Sequence, residues 1–419
     1  MSLPDDMLQM GRRARASARV LAATPADART AAIRAMSDAI AAAAADILAA
    51  NAEDLSAARE RGTPEAMLDR LALDAGRVAA LSKAIADIAD IPDPVGKVTE
   101  QWTRPNGLDI SRVRTPIGVL AVIYESRPNV TADAAALALR SGNAVILRGG
   151  SESIRTNRAI GAAVSRALES TGLDPASVQL VQTTDRDAVG LILTGLDRTI
   201  DLVIPRGGRS LVQRVQSDAR VAVLGHLEGV NHVYVHAAAD PAVARSVVLN
   251  AKMRRVSVCG AAETLLIDRA VAADLLPGIA ADLVAAGCEL RGDESARASA
   301  PGITEATDAD WPTEYLAPIL AVQVVDGLDG ALAHIALYGS GHTEAIITTD
   351  EAAAERFLNE VDAAIVLLNA STQFADGGEF GFGAEIGIST DRLHARGPVG
   401  AEQLTSFKYQ VRGSGQVRA

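Results

Sequence analysis

From residue 117 onward the sequence alternates short apolar runs with segments of helical periodicity, and this alternation limits the fold more than any other feature. Runs typical of buried strands lie at 117–125, 143–150, 177–182, 199–205 and 221–225. Single helices between such strands predict parallel pairing with right-handed crossovers. We therefore expect an α/β fold with a Rossmann-like sheet, which binds ligands at the carboxyl ends of its strands.

A second alternating series occupies residues 232–369, and a helical region precedes both series. The second series begins with the apolar run HVYVH and continues through a helical segment ending in NAKM to the strand-like run TLLID. The first 90 residues are Ala-rich with Leu, Ile and Met at helical spacing, which predicts helices. A chain of 419 residues that is 48% hydrophobic can form two or three domains with sizeable cores.

Two other segments have the patterns of exposed β-structure. Asn106 and Gly107 lie between two extended arms and can adopt the positive φ angles of a tight hairpin turn. Near the C-terminus, Phe407, Tyr409 and Val411 alternate with polar residues, which is typical of a strand with two different faces. We expect a hairpin before the first parallel sheet and a tail strand that joins another sheet.

Charge and cysteine content exclude several classes of protein. The net charge of −12 argues against nucleic-acid binding, which depends on clustered Lys and Arg. No segment reaches about 18 uncharged apolar residues, and the start of the chain lacks the apolar run of a signal peptide, so we expect a cytoplasmic protein without membrane contact. The two cysteines show neither CxxC nor the Cys/His spacing of a zinc site, so we expect no metal.

Cys259 has the surroundings that most suggest chemistry. It follows Lys252, Arg254 and Arg255 in KMRRVSVCG and precedes an apolar strand. Nearby cations favour the thiolate, which is the nucleophilic form of cysteine. A free cysteine is just as often a small residue that packs in the hydrophobic core. Sequence spacing does not separate this interpretation from the functional one. Six histidines are available as bases, but cysteine and histidine partners meet in space and not in sequence.

Two glycine-containing turns, RGGSES at 148–153 and PRGGRS at 205–210, each join a strand to a helix. Glycines let the backbone approach a phosphate, helix N-termini favour anions, and the arginines add charge. Ordinary turns with solvated arginines would give the same pattern. The candidate cofactor-binding residues of these turns are Arg148, Gly149, Gly150, Arg206, Gly207 and Gly208.

The segment YESRPNVTADAAALALRSGN joins a strand to a helix. Pro128 sets the turn, and Asn129 stands just before the helix. An asparagine there either caps the helix or donates a hydrogen bond from its amide into a cleft. Arg127 is either a surface ion-pair partner or a ligand for an anion, and the sequence is compatible with both roles.

Six blocks of the sequence, taken together, resemble the γ-glutamyl phosphate reductases, a branch of the aldehyde dehydrogenase superfamily. The blocks are RVRTPIGVLAVIYESRPNVTADAAALALRSGNAVILRGGSE, DLVIPRGGRSL, NAKMRRVSVCGAAETLLI, YLAPILAVQVVDGLDGALAHIALYGSGHTEAIIT, FADGGEFGFGAEIGIST and HARGPVGAEQLTSFKYQVRGSG. They occur in order and cover most of the chain, which makes the resemblance more specific than any single motif.

The resemblance implies an aldehyde-dehydrogenase-like α/β fold with three parts and a homo-oligomeric protein. The parts are a Rossmann-like nicotinamide-cofactor domain with a helical N-terminus, an α/β catalytic domain carrying Cys259, and a small β oligomerisation element. The predicted boundaries are 1–100 with 115–230 for the cofactor domain, 231–369 for the catalytic domain, 101–114 with 400–419 for the oligomerisation element, and 370–399 for a Gly-rich return segment.

The same resemblance implies NADPH-dependent reduction of L-glutamyl 5-phosphate to L-glutamate 5-semialdehyde, with release of phosphate, in proline biosynthesis. Cys259 matches the family's nucleophile, and the Asn129 amide with the Cys259 N–H would stabilise the oxyanion. Glu314 matches the residue that holds the nicotinamide ribose, while Arg127 and Arg255 are candidates for the substrate phosphate. The alternatives are another superfamily enzyme with a different substrate and a non-catalytic scaffold of the same fold.

Some positions depart from the pattern of the family. Val256 replaces its proline and Gly260 its asparagine around the nucleophile, and Gly260 would ease the approach of backbone to substrate. Leu316 and Ala317 replace Phe-Gly. Glu228 lies roughly where hydrolytic aldehyde dehydrogenases keep a water-activating glutamate, which a phosphate-releasing reductase needs less. We also expect a small-molecule substrate and a transient contact with a glutamate kinase, which would hand over the unstable acyl phosphate.

Overall fold

The computed structural model describes residues 2–418, and its contacts divide the chain into two compact units. Unit 1 comprises the residues up to Gly225, Gly381–Gly387 and the segment from Val399 onward. Unit 2 comprises His226–Phe380 and Ile388–Pro398. The first boundary therefore falls a few residues before the predicted one, and the Gly-rich segment 370–399 is shared between the two units.

Unit 1 is built on a five-stranded parallel sheet flanked by helices. Its helices are α1 (Leu3–Leu21), α2 (Ala26–Ala42), α3 (Ala44–Glu60), α4 (Glu65–Leu71), α5 (Ala75–Asp90), α6 (Val130–Arg140), α7 (Ile154–Ser170), α8 (Asp187–Leu193) and α9 (Arg209–Asp218). Its strands up to Gly225 are β1 (Val98–Thr103), β2 (Asp109–Pro116), β3 (Val119–Tyr124), β4 (Ala144–Gly149), β5 (Val178–Leu180), β6 (Leu202–Arg206) and β7 (Ala222–Val223). The sheet order is β5-β4-β3-β6-β7.

The winding of this sheet reverses between β3 and β6. From β3 the chain adds β4 and then β5 on one side, and it crosses to the other side of β3 to add β6 and β7. The carboxyl ends of β3 and β6 therefore border a crevice, which is the usual ligand position in such sheets. The loops that begin at Glu125 and Gly207 follow these two strands and contain Asn129 and the second glycine turn.

Unit 2 is built on a seven-stranded parallel sheet in the order β11-β10-β12-β9-β8-β13-β14, with a small antiparallel pair β15-β16. Its strands are β8 (Asn231–Val235), β9 (Ala262–Asp268), β10 (Glu289–Gly292), β11 (Ile303–Glu305), β12 (Ile319–Val325), β13 (Thr343–Ile347), β14 (Ile365–Leu368), β15 (Ile388–Ser389) and β16 (Gly397–Pro398). Its helices are α10 (Pro241–Met253), α11 (Arg269–Ala285), α12 (Glu294–Ser299), α13 (Gly327–Tyr338) and α14 (Glu351–Glu360).

Aspartates cap four helices of unit 2. The side chains of Asp240, Asp268, Asp293 and Asp350 each accept a hydrogen bond from backbone N–H groups in the first turn of α10, α11, α12 and α14. Such a cap contributes about 1 kcal/mol. Because each aspartate follows a strand of the sheet or ends it, the caps determine where each strand gives way to its helix.

A separate antiparallel sheet combines the hairpin with the tail strand β17 (Thr405–Arg412), in the order β1-β2-β17. Gly107 in the hairpin turn has a φ of 83°. Trp102, Phe407 and Tyr409 stack edge to face on this sheet and are all exposed in the single chain. The sheet therefore presents an aromatic surface together with two unpaired strand edges.

Both alternating series are present in the structure, so the predicted α/β fold is confirmed. The pattern did not reveal β13, because Thr343 and Glu344 interrupt its apolar run. Both residues are nevertheless buried, and Glu344 accepts hydrogen bonds from the backbone N–H and the ring of His232 at 2.8 and 2.9 Å. Within residues 2–418, no helix combines the length and the apolar character that crossing a membrane requires.

Candidate active site

Cys259 lies in the loop that leads from α10 into β9, at the amino end of the seven-stranded sheet. Its side chain is half-buried and packs beside the buried residues Ile365, Ala375 and Ile388. This position differs from that of a core cysteine such as Cys288, because Cys259 is only half-buried whereas Cys288 is buried. The structure therefore favours the functional interpretation of Cys259 over the structural one.

The Asn231 side chain fixes the backbone of the Cys259 loop. Its amide donates to the carbonyl oxygens of Cys259 at 2.6 Å and Ala261 at 2.8 Å. Its own oxygen accepts a hydrogen bond of 3.1 Å from the N–H of Thr343 in β13. One buried amide thus joins the loop to strands β8 and β13, and a loop held in this way positions its thiol precisely enough for catalysis.

Two glycines allow the backbone around Cys259 to pack tightly. A Cβ on Gly229 would lie 2.2 Å from the Cys259 carbonyl oxygen, so any side chain there would push the loop away. Gly260 is buried, and a Cβ on it would lie 3.1 Å from the Thr372 carbonyl oxygen. Gly260 therefore has a role in packing, and its part in the approach of backbone to substrate stays a prediction.

Two of the six histidines lie close to the Cys259 thiol. A ring nitrogen of His226, a ring nitrogen of His342 and the Cys259 sulfur all lie within 4.8 Å of one another. The two rings meet edge to face with centroids 5.0 Å apart. His226 is half-buried and His342 is buried. A neutral imidazole can accept the proton of a thiol, so this arrangement provides the base that a cysteine nucleophile needs.

Lys252, one of the three cations expected to favour the Cys259 thiolate, has another partner. Lys252 is fully buried and forms an ion pair with Glu263, which is also buried, while its ammonium lies 5.7 Å from the centre of the Tyr315 ring. Burial raises the pKa of Glu263 to about 7, although the Lys252 charge acts in the opposite direction. The histidines, and not Lys252, are therefore the groups placed to promote ionisation of Cys259.

The two arginines of the Cys259 loop are exposed. Arg254 donates to the Gln373 side chain at 3.4 Å, and the Arg255 carbonyl accepts a hydrogen bond of 3.2 Å from the same amide group. The guanidinium of Arg255 thus extends from a loop that is fixed through its backbone. Arg127, in the loop after β3 of unit 1, is half-buried. Arg127 and Arg255 both remain candidates for binding the substrate phosphate.

Asn129 does not cap α6. Its amide donates to the Asp133 carboxylate at 2.8 Å, and no cap hydrogen bond is made by its side chain. An amide nitrogen carries two hydrogens, so a second one is available beyond Asp133. Burial raises the pKa of Asp133 to about 6, an effect reduced by the Asn129 hydrogen bond and by the charge of Arg206. Asp133 therefore orients Asn129 beside the crevice of unit 1.

Asp133→Asn is expected to change how stability depends on pH. Because the folded-state pKa of Asp133 is raised from 3.8 to about 6, the folded protein binds more protons than the unfolded chain in this window. Wild-type stability should therefore fall as the pH rises from 4 to 7, by about 2 kcal/mol after allowing for partial exposure of the side chain. Urea unfolding of both proteins at pH 4 and pH 7 measures the effect, and an equal difference at both values would contradict it.

The first glycine turn is packed within unit 1. Gly149 and Gly150 are buried, and a Cβ on Gly149 would lie 2.1 Å from the Asn157 amide. Arg148 is also buried and donates to the carbonyl oxygens of Gly149 at 2.9 Å and Thr184 at 3.2 Å. Burial lowers the pKa of Arg148. Arg148 therefore stabilises the turn itself, and the binding of a cofactor by Arg148, Gly149 and Gly150 stays a prediction.

The second glycine turn is exposed and already holds a carboxylate. Gly207 and Gly208 are both exposed, and the N–H of Gly208 at the start of α9 donates to Glu125 at 3.1 Å. A Cβ on Gly207 would lie 2.4 Å from the same carboxylate. The helix N-terminus that was expected to bind a phosphate is therefore neutralised by Glu125, whose oxygens can accept hydrogen bonds from hydroxyl groups. Arg206, at the end of β6, is half-buried.

Glu314 is held by the segment that packs on Cys259. Its carboxylate accepts a hydrogen bond of 3.0 Å from the N–H of Gly229. Burial raises the pKa of Glu314, and the nearby charge of Glu228 acts in the same direction. The next residues depart from regular geometry, since Leu316 has a φ of 52° and donates from its N–H to Glu263 at 3.3 Å. Glu314 thus lies close to the backbone segment that packs on Cys259 in unit 2.

Several of these residues were not predicted from the sequence. Lys252 in α10 pairs with Glu263 in β9, and Asn129 pairs with Asp133 in the first turn of α6. Sequence spacing alone gave no reason to single out either pair. His226 and His342 precede different strands, and they meet only because β8 and β13 are neighbours. A signal was present in the GSGHTEAIIT block, whose histidine directly precedes a buried strand.

Comparisons with known proteins show the family of this chain. A sequence model of the aldehyde dehydrogenase family matches residues 4–306. The γ-glutamyl phosphate reductase of Caulobacter vibrioides is 68% identical over 412 residues, which cover 98% of this chain and 100% of that protein. The γ-glutamyl phosphate reductase of Hyphomonas neptunium is 62% identical over 417 residues, which cover 100% of this chain and 97% of that protein.

Solved structures give the same result. The crystal structure of γ-glutamyl phosphate reductase from Thermotoga maritima has a TM-score of 0.96 at 44% identity, covering 99% of this chain and 100% of that chain. An acetylating aldehyde dehydrogenase from Geobacillus thermoglucosidasius has a TM-score of 0.69 at 16% identity and shares the fold, with 100% of this chain and 99% of that chain covered. With high identity along its whole length, the chain belongs to the γ-glutamyl phosphate reductases of the aldehyde dehydrogenase family.

Proposed function

We propose that this protein reduces L-glutamyl 5-phosphate to L-glutamate 5-semialdehyde with NADPH and releases phosphate, a step of proline biosynthesis. The observation that carries the proposal is the half-buried Cys259 thiol with ring nitrogens of His226 and His342 nearby. A thiol in these surroundings can form a covalent acyl intermediate. The family membership supplies the identity of the acyl group.

The first half of the reaction begins at Cys259. A histidine ring accepts the Cys259 proton, and the thiolate attacks the acyl carbon of the substrate. The resulting oxyanion is stabilised by the Cys259 N–H and, in our proposal, by the free amide hydrogen of Asn129. When the intermediate collapses, the bond between carbon and the phosphate oxygen breaks, phosphate leaves with the electron pair, and a thioester on Cys259 remains. Phosphate is a good leaving group, so no acid is needed at this step.

The second half regenerates the thiolate. The thioester carbon would accept a hydride from NADPH once the cofactor is bound, whereas a free carboxylate could not. The same two N–H groups stabilise the oxyanion that forms again. Its collapse breaks the carbon–sulfur bond, releases the aldehyde and returns Cys259 as a thiolate. Glu228 has no required part in this scheme, because phosphate release replaces hydrolysis by water.

Nicotinamide cofactors are used throughout the aldehyde dehydrogenase family, and the crevice of unit 1 fits one. The exposed Gly207–Gly208 turn lets a ligand approach the backbone, and the Glu125 carboxylate offers acceptors for hydroxyl groups such as those of a ribose. We assign Arg206 and the neighbouring Arg209 as the cations for the 2′-phosphate that distinguishes NADPH from NADH. Glu314 would hold the nicotinamide ribose.

Gly207→Ala is expected to weaken cofactor binding. The added Cβ would lie 2.4 Å from the Glu125 carboxylate and 2.7 Å from the Leu211 side chain, so the Glu125 carboxylate must leave its position or the turn must shift. We expect the KM for NADPH to rise about tenfold, which corresponds to about 1.4 kcal/mol, with kcat little changed. Steady-state kinetics measure both values. Gly190→Ala, at a helical position of α8 where, apart from its own helix, no atom of the described residues lies within 4 Å of the added Cβ, is the control for a glycine outside the crevice.

The competing candidate is a superfamily enzyme that oxidises a free aldehyde. The two are separated by the reverse reaction, in which glutamate 5-semialdehyde, phosphate and NADP are supplied together. NADPH production that requires phosphate supports acyl-phosphate chemistry, with Arg127 and Arg255 as the proposed phosphate ligands. NADPH production without phosphate would overturn the proposal and assign water activation to Glu228.

The aromatic surface of the three-stranded sheet supports a homo-oligomer. Phe407 and Tyr409 are 50% and 56% exposed in the single chain, which is unusual for neighbouring aromatic side chains. The double variant Phe407→Asp, Tyr409→Asp is expected to reduce the mass in solution to that of one chain, as measured by light scattering. Val20→Asp, at an exposed position of α1, is the matched control. An unchanged mass in the double variant would contradict this surface as the interface.

We also propose that the protein acts in the cytoplasm and contacts glutamate kinase transiently, since acyl phosphates hydrolyse in water. In a coupled assay of both enzymes, added hydroxylamine traps acyl phosphate that is free in solution. Semialdehyde formation that resists the trap supports direct transfer, whereas complete trapping means that the intermediate diffuses freely.

A further inference from the structure

The three groups around the nucleophile also form a set of metal ligands. Cys259, His226 and His342 come from loops that precede three different strands, and their ligand atoms lie within 4.8 Å of one another. No Cys/His spacing in the sequence indicates this set, because it exists only once β8, β9 and β13 are side by side. We propose that these three residues bind Zn²⁺ and that the bound ion inhibits the enzyme reversibly by capturing the thiolate.

The Nδ1 atom of each of the two imidazole rings already has a hydrogen-bond partner. His226 Nδ1 lies 2.8 Å from the Ile388 carbonyl oxygen, which can only accept, so Nδ1 carries the hydrogen and Nε2 has a lone pair. His342 Nδ1 lies 2.8 Å from the Thr343 hydroxyl oxygen. The Nε2 of His342 is buried and has no hydrogen-bond partner within the described residues. Metal-binding histidines are oriented in this way by carbonyl or hydroxyl groups on the far nitrogen.

The chemistry of the three ligands suits Zn²⁺. One thiolate and two neutral imidazoles are typical zinc ligands, and three protein ligands leave the fourth tetrahedral position to water. Zinc bonds of about 2.0 Å to nitrogen and 2.3 Å to sulfur would place the ligand atoms about 3.3–3.7 Å apart. Because all three ligand atoms lie within 4.8 Å of one another, the groups would have to close by at most about 1.5 Å to reach these zinc distances. His226 and Cys259 are both only half-buried, which leaves room for this movement.

A bound ion would have a direct effect on the reaction. Zn²⁺ displaces the thiol proton and takes the sulfur lone pair that would otherwise attack the acyl carbon. Three ligands bind less tightly than the four of a structural site, so the ion should be removable by a chelator. Metal binding itself does not depend on the substrate, whereas the inhibition rests on the proposed function. The two can therefore be tested separately.

Co²⁺ is the probe, because it takes the same tetrahedral site and has a visible spectrum. Titrating the full-length protein, free of thiols and chelators, is expected to give a thiolate-to-cobalt charge-transfer band and intense visible bands that saturate at one ion per chain and disappear when Zn²⁺ is added. Cys259→Ala should lose the charge-transfer band. His226→Ala and His342→Ala should each weaken Co²⁺ binding at least about tenfold, whereas His394→Ala, at an exposed histidine outside the set, should not.

The outcomes separate the metal site from the enzyme activity. A cobalt spectrum without reductase activity would support the site and overturn the proposed function. Reductase activity with no charge-transfer band, or with a band that both histidine variants retain at full affinity, would overturn the site. Circular dichroism of each variant confirms that it is folded, and Zn²⁺ inhibition that EDTA reverses in wild type but that is weakened in His342→Ala completes the support.

Discussion

Cys259→Ala is expected to lower kcat for semialdehyde formation by at least about 10⁴-fold while leaving NADPH binding unchanged. Without the sulfur no thioester can form, and a hydride acceptor is therefore never generated. The alanine variant keeps the backbone carbonyl oxygen of residue 259, to which the Asn231 amide donates, so this anchor of the loop is retained. Steady-state kinetics and fluorescence titration with NADPH measure the two quantities.

Cys288→Ala is the matched control. Cys288 is buried in the core of unit 2, and burial raises its pKa to about 11, so it is not ionised at neutral pH. We expect kcat to stay within about twofold of wild type and the free energy of unfolding to fall by about 1 kcal/mol through the lost packing. Equal losses of activity in both cysteine variants would mean that Cys259 has no special role.

Asn129→Ala is expected to lower kcat by about 10² to 10³-fold, with a smaller change in the KM for the substrate. The reason is that the amide hydrogen not used by Asp133 would donate to an oxyanion that exists only during the reaction. Single-turnover measurements of hydride transfer test this directly. A loss below tenfold would remove Asn129 from the oxyanion site and leave it as a structural residue of the crevice.

Asp133→Asn separates positioning from donation. The new amide oxygen can still accept the hydrogen bond of 2.8 Å that the Asn129 amide makes in the wild type, so Asn129 keeps its orientation. We expect kcat to remain within about fivefold of wild type in this variant. Asp133→Leu offers no acceptor and should approach the loss seen for Asn129→Ala. If both variants at residue 133 behave alike, orientation by Asp133 is not part of catalysis.

The alternating strands, and with them the fold, could be predicted because buried parallel strands are continuous apolar runs. Cys259 could be singled out because it lies in a short loop between basic residues and such an apolar strand. The sequence led us to attribute the reactivity of Cys259 to nearby cations, and for Lys252 the structure shows a different partner. Lys252 is near in sequence, but its side chain turns inward to Glu263, and only the folded helix α10 decides which way it points.

The two glycine turns show a second limit of the sequence. Both read Arg-Gly-Gly after an apolar strand, yet one is buried and the other exposed. The difference comes from neighbours: Gly149 packs on Asn157 of α7 and on Tyr124, whereas the turn at Gly207 follows β6, next to the short edge strand β7. Strand order in the sheet decides such neighbours, and no local pattern encodes that order.

The tail strand has a consequence for how the protein is made. Arg114 of β2 forms an ion pair of 2.6 Å with Glu402, just before β17, although 288 residues separate them in sequence. A ribosome must therefore synthesise the whole of unit 2 before β2 can receive its second neighbour. During that interval β2 has one edge open on the nascent chain, and the sheet is completed only after translation has passed residue 412. Loss of the last strand, through truncation or premature termination, would leave this edge available to other chains.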